Sequence, residues 1–206
     1  MGEVILKIEN GTKKFKNELI FQNVSMEFEK GNSYGFVGPN GCGKSVFFKT
    51  LCGYSLLTEG QVIYQGKIIG KEQDFIDDAG IVIEEPEFIN SLSGLENKIS
   101  EAEIIEVLKQ FDLYEDRNKK VGKYSVGMKQ KLRLAQAVME KPQVLILDEP
   151  MNGLDKKSVK KVEDILKAFV ENGGTLLMTS HIEQQVEACC KIVYEIDGGE
   201  ILRVTD

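Results

Sequence analysis

The sequence predicts an α/β fold in which helices cover a parallel sheet and an N-terminal antiparallel β-subdomain precedes it. In the second half of the 206-residue chain, amphipathic helices alternate with short strands whose residues are almost all apolar. This alternation is typical of a parallel sheet that is buried on both faces. The N-terminal part instead contains strand-like segments separated by turn residues, which favours antiparallel pairing.

The individual elements follow from the spacing of apolar residues. Segments 3–9 and 19–28 are predicted antiparallel strands, and the region 60–83 has the same character. Apolar residues at helical spacing predict an amphipathic helix over 101–111. The later elements are helices at 129–140 and 157–171, strands at 144–147 and 175–179, and a closing hairpin of 193–196 and 200–204.

A glycine-rich loop lies between a short apolar strand and an apolar-faced helix that ends at Gly53. The loop consists of Gly38, Pro39, Asn40, Gly41, Cys42, Gly43, Lys44 and Ser45. Glycines let successive backbone N–H groups point at phosphate oxygens, and the helix N-terminus adds its positive dipole end. Lys44 would reach the β- and γ-phosphates, and the Ser45 hydroxyl would bind magnesium. The pattern predicts a nucleoside triphosphate site in a P-loop NTPase core.

Two carboxylates and a histidine follow predicted core strands. Asp148 and Glu149 end one apolar strand, and His181, the only histidine, follows the next. Because ligands of open α/β sheets bind at the carboxyl ends of the strands, we expect Asp148 to hold magnesium opposite Ser45. Glu149 would polarise the water that attacks the γ-phosphate. His181 would hydrogen-bond that phosphate and keep the water and Glu149 in register.

Ser125 and Gly127 lie near the amino end of the helix predicted at 129–140. One interpretation is an ordinary helix cap. The other is a second phosphate-binding helix terminus. Because the chain already has one such terminus for its own nucleotide, the second interpretation makes sense for a nucleotide bound to another copy.

Together these elements resemble the ATP-binding subunits of ABC transporters over nearly the whole chain. The resemblance is carried by the loop at 38–45, the segment 124–130, the Asp148-Glu149 strand end, the loop Asn152-Gly153-Leu154-Asp155 and His181, in this order. It implies a single ATPase domain over 1–206, with a helical subdomain inserted at about 88–125. It also implies that Phe15 stacks on adenine, that Asp155 belongs to the nucleotide site, and that ATP and Mg²⁺ are the cofactors.

The resemblance also implies partners and a location. Two identical subunits would join head to tail in the ATP-bound state, with each nucleotide between the phosphate loop of one subunit and Ser125 and Gly127 of the other. A separate integral membrane permease would hold the protein on the cytoplasmic face of the membrane. The Tyr124-to-Gln130 form of the signature is similar to that of the subgroup that exports antimicrobial peptides and drugs or confers self-immunity.

Four departures from the family pattern accompany the resemblance. Val46, although within the nucleotide site, replaces a hydroxyl residue that usually contacts the α-phosphate. Glu84 stands where the family usually has a magnesium-binding glutamine, and a carboxylate can also bind this metal. Val126 and Met128 replace the glycine and glutamine of many members. Only 40 residues separate Glu84 from Ser125, which predicts a shortened helical subdomain.

Composition limits the alternatives. A net charge of −7 argues against binding to nucleic acid by bulk electrostatics, so no nucleic acid partner is expected. No stretch approaches the roughly 20 apolar residues of a membrane-spanning helix, and the four cysteines lack metal-binding spacing. Two alternatives to the transporter subunit stay open: a soluble ABC-type ATPase switch without a permease, and a paralogue that hydrolyses ATP slowly.

Overall fold

Two β-sheets organise the protein, and the computed structural model describes them through residues 2–16, 18–84 and 101–204. In chain order the elements are β1 (Val4–Phe15), β2 (Glu18–Glu29), β3 (Ser33–Val37), α1 (Lys44–Cys52), β4 (Glu59–Tyr64), β5 (Lys67–Ile68), β6 (Ala79–Val82), α2 (Glu101–Gln110), α3 (Val126–Met139), β7 (Val144–Leu147), α4 (Lys156–Glu171), β8 (Thr175–Thr179), α5 (Glu183–Cys189), β9 (Ile192–Asp197) and β10 (Glu200–Arg203). One-turn 3-10 helices lie at Tyr114–Asp116 and Val121–Lys123.

The smaller sheet is antiparallel, with the strand order β2-β1-β4-β5. The larger sheet has the order β10-β9-β3-β8-β7-β6, and its strands from β9 to β6 are parallel. The strand β10 pairs antiparallel with β9 as the closing hairpin. The predicted α/β class, with a parallel sheet and an N-terminal antiparallel β-subdomain, is therefore confirmed.

The strand β7, which lies between β8 and β6, separates two hydrophobic cores. Successive side chains of a strand point to opposite faces of its sheet. Leu145 and Leu147 accordingly pack in a core formed with the helices α2 to α5, whereas Val144 and Ile146 pack in a core formed with α1 and the smaller sheet. All four side chains are fully buried, which explains why β7 is a continuous apolar run.

Aromatic side chains fix α1 against the larger sheet. The Phe36 ring lies 5.3 Å from that of Phe47 and 5.4 Å from that of Phe48, measured between centroids, and it stacks on Tyr194. Burying each phenylalanine side chain contributes roughly 1.5–3 kcal/mol to stability. The helix ends at Gly53, whose left-handed φ of 88° closes its last turn. The amino end of α1 is thus held at the carboxyl edge of the sheet.

The structure corrects parts of the sequence prediction. The strand β6, within the region 60–83 that was predicted antiparallel, is parallel to β7 in the larger sheet. That prediction was wrong for β6 because a short apolar run does not reveal its partner strand. The first strand continues through Asn10-Gly11 with an irregular register, since Asn10 adopts a left-handed φ of 48°. The helix α3 begins at Val126, three residues earlier than predicted, and α5 was not predicted.

The single domain over 1–206 and its helical subdomain at about 88–125 stay predictions. Part of that segment, 88–100, lies outside the described residues. The rest contains α2 and the two 3-10 turns. Within the described ranges, no helix is both long enough and apolar enough to span a bilayer.

Candidate active site

The glycine-rich loop connects β3 to α1 and needs glycine at two of its positions. Gly38 has a φ of 151°, and a Cβ atom there would lie 2.3 Å from the carbonyl oxygen of Ile196. Gly43 has a φ of 106°, and its Cβ would lie 2.7 Å from the Cγ2 atom of Ile20. Any side chain at these positions would collide with its neighbours and strain the backbone. The loop conformation is therefore dictated by the sequence.

Lys44 is buried inside the loop, with its side chain 6% exposed. Its ammonium group donates hydrogen bonds to the carbonyl oxygens of Gly38, at 2.8 Å, and Pro39, at 3.1 Å. It also lies 3.9 Å from Oε1 of Glu149. A cation at the centre of a loop that follows a strand and begins a helix is the arrangement that binds nucleotide phosphates.

Asp148 follows β7 and is hydrogen-bonded through both carboxylate oxygens. Ser45 donates from Oγ to Oδ2 at 2.5 Å, and Thr179 donates from Oγ1 to Oδ1 at 2.6 Å. The backbone N–H of Asp148 donates to the carbonyl of Val82 at 2.7 Å. The carboxylate is thus held from α1 and β8, and the backbone of Asp148 is held from β6. The predicted proximity of Ser45 and Asp148 is present.

Glu149 has a strained backbone, and its two carboxylate oxygens lie in different environments. Its φ of 49° is left-handed, which costs a non-glycine residue about 1–3 kcal/mol. Oε2 lies 2.8 Å from Nδ1 of His181. Oε1 is buried, and within the described part of the chain it has no hydrogen-bond partner. A carboxylate that is oriented through one oxygen and lacks a hydrogen bond at the other can accept a proton from a water molecule.

The backbone around Glu149 is also held in place. Its N–H donates to Oγ1 of Thr179 at 2.9 Å. The buried Gln130 side chain of α3 donates from Nε2 to the carbonyl of Pro150 at 2.9 Å. These contacts fix the turn after β7 from two sides.

Glu84 lies just after β6, and its carboxylate forms an ion pair with Lys49 of α1. The Glu84 side chain is 62% exposed. A cavity of about 200 Å³ is lined by residues that include Glu84, Asp148 and Glu149. Magnesium binding by Glu84 stays a prediction.

The predicted signature begins α3. The Ser125 hydroxyl caps the helix by accepting a hydrogen bond from the N–H of Met128 at 3.2 Å. Val126, in the first turn, is 70% exposed, and Gly127 is close enough to the Gly153 carbonyl that a Cβ would lie 3.1 Å from it. The cap interpretation therefore applies to the isolated chain, and contact with a nucleotide on another copy stays a prediction.

Phe15 ends β1, and the residue is 47% exposed. The ammonium group of Lys13 lies 4.6 Å from the ring centroid. Burial lowers the pKa of Lys13, whose Nζ donates to the carbonyl of Leu56 at 2.5 Å. An exposed aromatic face is available for stacking, and its contact with adenine stays a prediction.

Asp155 is the N-cap of α4. It accepts hydrogen bonds from the backbone N–H and the hydroxyl of Ser158, both at 2.9 Å. These bonds to the charged form lower the pKa of the Asp155 carboxyl. The structure thus gives this residue a local structural role, and its place in the nucleotide site stays a prediction.

The remaining loop residues were also assigned to the nucleotide site. The N–H of Cys42 donates to the Pro39 carbonyl at 3.3 Å, and the Val46 carbonyl accepts from the Thr50 hydroxyl at 2.8 Å. Asn40 and Gly41 are exposed at the outer side of the loop. Their contacts with a nucleotide stay predictions.

Sequence reasoning missed Thr179 and Lys49. Thr179 is the last residue of β8, and its hydroxyl contacts both Asp148 and Glu149. A search for polar residues that end core strands would have identified it. Lys49 lies on α1, and the sequence contains no signal that it meets Glu84.

The oxygen atoms of Ser45 and Asp148 suit Mg²⁺, which prefers oxygen ligands and usually takes one or two carboxylates together with substrate phosphates. Within the described ranges they are not part of a cluster of three or more His, Cys, Asp or Glu side chains. Ser45 and Asp148, hydrogen-bonded to each other, would suit a metal that is brought with a nucleotide, and their binding of Mg²⁺ stays a prediction.

Comparisons with known proteins agree with this geometry. The family model described as ABC transporter matches residues 21–152. The chain is 35% identical to the uncharacterized ABC transporter ATP-binding protein YybJ of Bacillus subtilis, across 96% of this chain and 94% of the relative. It is 34% identical to the lantibiotic transport ATP-binding protein SrtF of Streptococcus pyogenes, across 96% and 89%. It is 30% identical to the bacitracin transport ATP-binding protein BcrA of Enterococcus faecalis, across 97% and 68%.

Solved structures share the fold. A dimeric ATP-binding cassette in a post-hydrolysis state bound to ADP and Pi superposes with a TM-score of 0.85, at 23% identity, across 98% of this chain and 100% of that chain. This likeness shows the fold alone, whereas the family match and the relatives above show the family. The chain therefore belongs to the ABC transporter family, as an ATP-binding subunit with ATPase activity.

Proposed function

We propose that Glu149 is the general base of Mg²⁺-dependent ATP hydrolysis and that the protein drives a membrane permease that exports a peptide or a drug. The observation that carries the catalytic part is the Glu149 carboxylate. His181 orients it at 2.8 Å, and Oε1, 3.9 Å from the Lys44 ammonium, has no hydrogen-bond donor among the described residues. The relatives named for lantibiotic and bacitracin transport support the exporter part.

Different residues of the site bind the phosphates and the metal. Lys44 exchanges the carbonyls of Gly38 and Pro39 for the β- and γ-phosphates when ATP enters the loop. Ser45 and Asp148 would hold Mg²⁺, and the bound metal would supply positive charge beside the phosphates.

Glu149 and His181 act on the attacking water. Oε1 of Glu149, which accepts no hydrogen bond from the described residues, accepts a proton from this water, and His181 keeps the carboxylate in place through Oε2. The left-handed backbone of Glu149 is part of the same arrangement, because it sets where the carboxylate points.

A second copy completes the site. The amino end of α3, with the exposed Ser125 and Val126, is free to approach a nucleotide held by another subunit. A helix N-terminus stabilises negative charge, so this surface suits the γ-phosphate of the partner's ATP. The same subunits would dock on the cytoplasmic side of a permease, with their motion coupled to it.

The catalytic proposal is tested with Glu149→Gln. We expect the variant to bind ATP as the unchanged protein does and to lose roughly 10²–10⁴-fold in turnover, the usual contribution of a general base. Glu140→Gln removes an exposed carboxylate that follows α3 and serves as the matched control, with unchanged turnover expected. Steady-state hydrolysis and equilibrium nucleotide binding measure both quantities, and full turnover in Glu149→Gln would remove this residue from its role.

The transport proposal is tested by purification from detergent-solubilised membranes. Recovery with an integral membrane protein supports the permease, whereas recovery with ribosomes and no membrane protein favours the soluble switch. Turnover per chain, measured against protein concentration, tests the second copy, since a two-subunit site becomes faster as dimers form. A low rate at all concentrations would favour the slowly hydrolysing paralogue.

A further inference from the structure

We infer that Thr179 is a positioning residue whose hydroxyl couples the metal ligand Asp148 to the base Glu149. This inference rests on the proposed roles of those two acids. Oγ1 of Thr179 donates to Oδ1 of Asp148 at 2.6 Å and accepts from the backbone N–H of Glu149 at 2.9 Å. One side chain thus holds two consecutive residues of the site.

The two hydrogen bonds fix the direction of the hydroxyl. A threonine hydroxyl has one proton to donate and can also accept, so the bond from the Glu149 amide leaves the proton for Asp148. The carboxylate receives its other hydrogen bond from Ser45 at 2.5 Å. Oδ1 and Oδ2 are therefore oriented by different elements, β8 and α1. The two hydrogen bonds together set the plane of the carboxylate.

The contact to Glu149 acts on strained backbone. A φ of 49° is unfavourable for glutamate and persists only where its surroundings enforce it. Thr179 binds the N–H of this residue from the neighbouring strand, and its side chain is fully buried. Removing the hydroxyl would leave the partly buried Glu149 amide without its acceptor and would free the turn that presents the carboxylate.

Thr175 provides a matched control on the same strand. It is also fully buried, and its Oγ1 accepts a hydrogen bond from the N–H of Gly31 at 3.0 Å. It begins β8, whereas Thr179 ends it, so the two hydroxyls lie at opposite edges of the sheet. Valine at either position keeps the shape of the side chain and removes its hydroxyl.

The experiment compares Thr179→Val, Thr179→Ser and Thr175→Val by ATP hydrolysis at a series of magnesium concentrations. We expect Thr179→Val to lose about 10–100-fold in kcat and to need more magnesium for half-maximal activity, as is usual when a partner behind a metal ligand is removed. Thr179→Ser keeps the hydroxyl and should retain most of the rate. Thr175→Val should stay within about twofold, because it touches no part of the site.

Thermal unfolding of the same variants separates a structural role from a positioning role. Similar losses of Tm in the two valine variants, with lost activity and a higher magnesium requirement in Thr179→Val alone, support the inference. Equal kcat and equal magnesium dependence in the two valine variants would overturn it. Failure of the proposed function is distinguishable, because it would show as full turnover in Glu149→Gln, whatever Thr179→Val does.

Discussion

Asp148 and Glu84 are two carboxylates predicted for the same metal, and the structure holds them in opposite ways. Asp148 lies at the end of a central strand, with hydrogen bonds to both oxygens and a backbone N–H bonded to the neighbouring strand. Glu84 lies after the edge strand β6, is largely exposed, and forms an ion pair with Lys49.

This difference shows how much of the site is organised before a nucleotide binds. The Asp148 carboxylate is already fixed by two hydroxyl donors, so metal binding needs little rearrangement on that side. Glu84 is held by an exposed ion pair, which is worth only about 0–1 kcal/mol. Asp148 therefore forms a rigid part of the site, and Glu84 a part that is easily displaced.

The strongest test of this contrast is Asp148→Asn. We expect kcat/KM to fall at least about 100-fold, beyond the effect of losing a residue behind a metal ligand, because the amide brings no charge to the metal. Its NH2 group also replaces one of the two carboxylate oxygens, so it cannot accept the hydrogen bond that Ser45 or Thr179 donates to that oxygen. Hydrolysis over a range of magnesium concentrations measures the loss, and recovery of the full rate at high magnesium would contradict a rigid role.

Glu84→Gln should have a much smaller effect. The change removes the charge that binds Lys49, so we expect kcat/KM to stay within about fivefold, the range that an exposed ion pair can supply. Lys49→Met is the matched variant, since it breaks the same pair from the other side. A loss in Glu84→Gln as large as that in Asp148→Asn would show that both carboxylates are equally essential.

The smallest expected effect is the dependence of the Lys49 and Glu84 pair on salt. A double-mutant cycle in denaturant unfolding should give a coupling free energy below about 1 kcal/mol. Raising the ionic strength from about 0.01 to 1 M shortens the screening length from about 30 to 3 Å, so the coupling should vanish. A coupling that persists in high salt would indicate that the pair is more rigid than its exposure implies.

The parts of the molecule that the sequence predicts are those defined by local pattern. The loop at 38–45, the strand before Asp148 and the final hairpin each combine turn residues with apolar runs, and the structure has them at the expected places. The proximity of Ser45 to Asp148 and of Glu149 to His181 followed from the rule that strand ends share one edge.

What could not be predicted depends on contacts between distant residues. The parallel pairing of β6 is set by its neighbour β7, about 65 residues later in the chain, as the register of Ala79 with Val144 shows. The hydroxyl of Thr179 gains its role only because β8 lies beside β7. Lys49 meets Glu84 through tertiary packing, and neither residue belongs to a local motif that would indicate it.

The left-handed turn at Glu149 has a consequence for attempts to make this protein more robust. Glycine or asparagine would tolerate a φ of 49° better than glutamate does, so a selection for heat resistance alone would favour replacing it. Such a replacement would remove the carboxylate that hydrolysis is proposed to need. At position 149, a substitution that raises thermal stability would lower the rate of hydrolysis. Stabilising substitutions are better sought in the two hydrophobic cores beside β7.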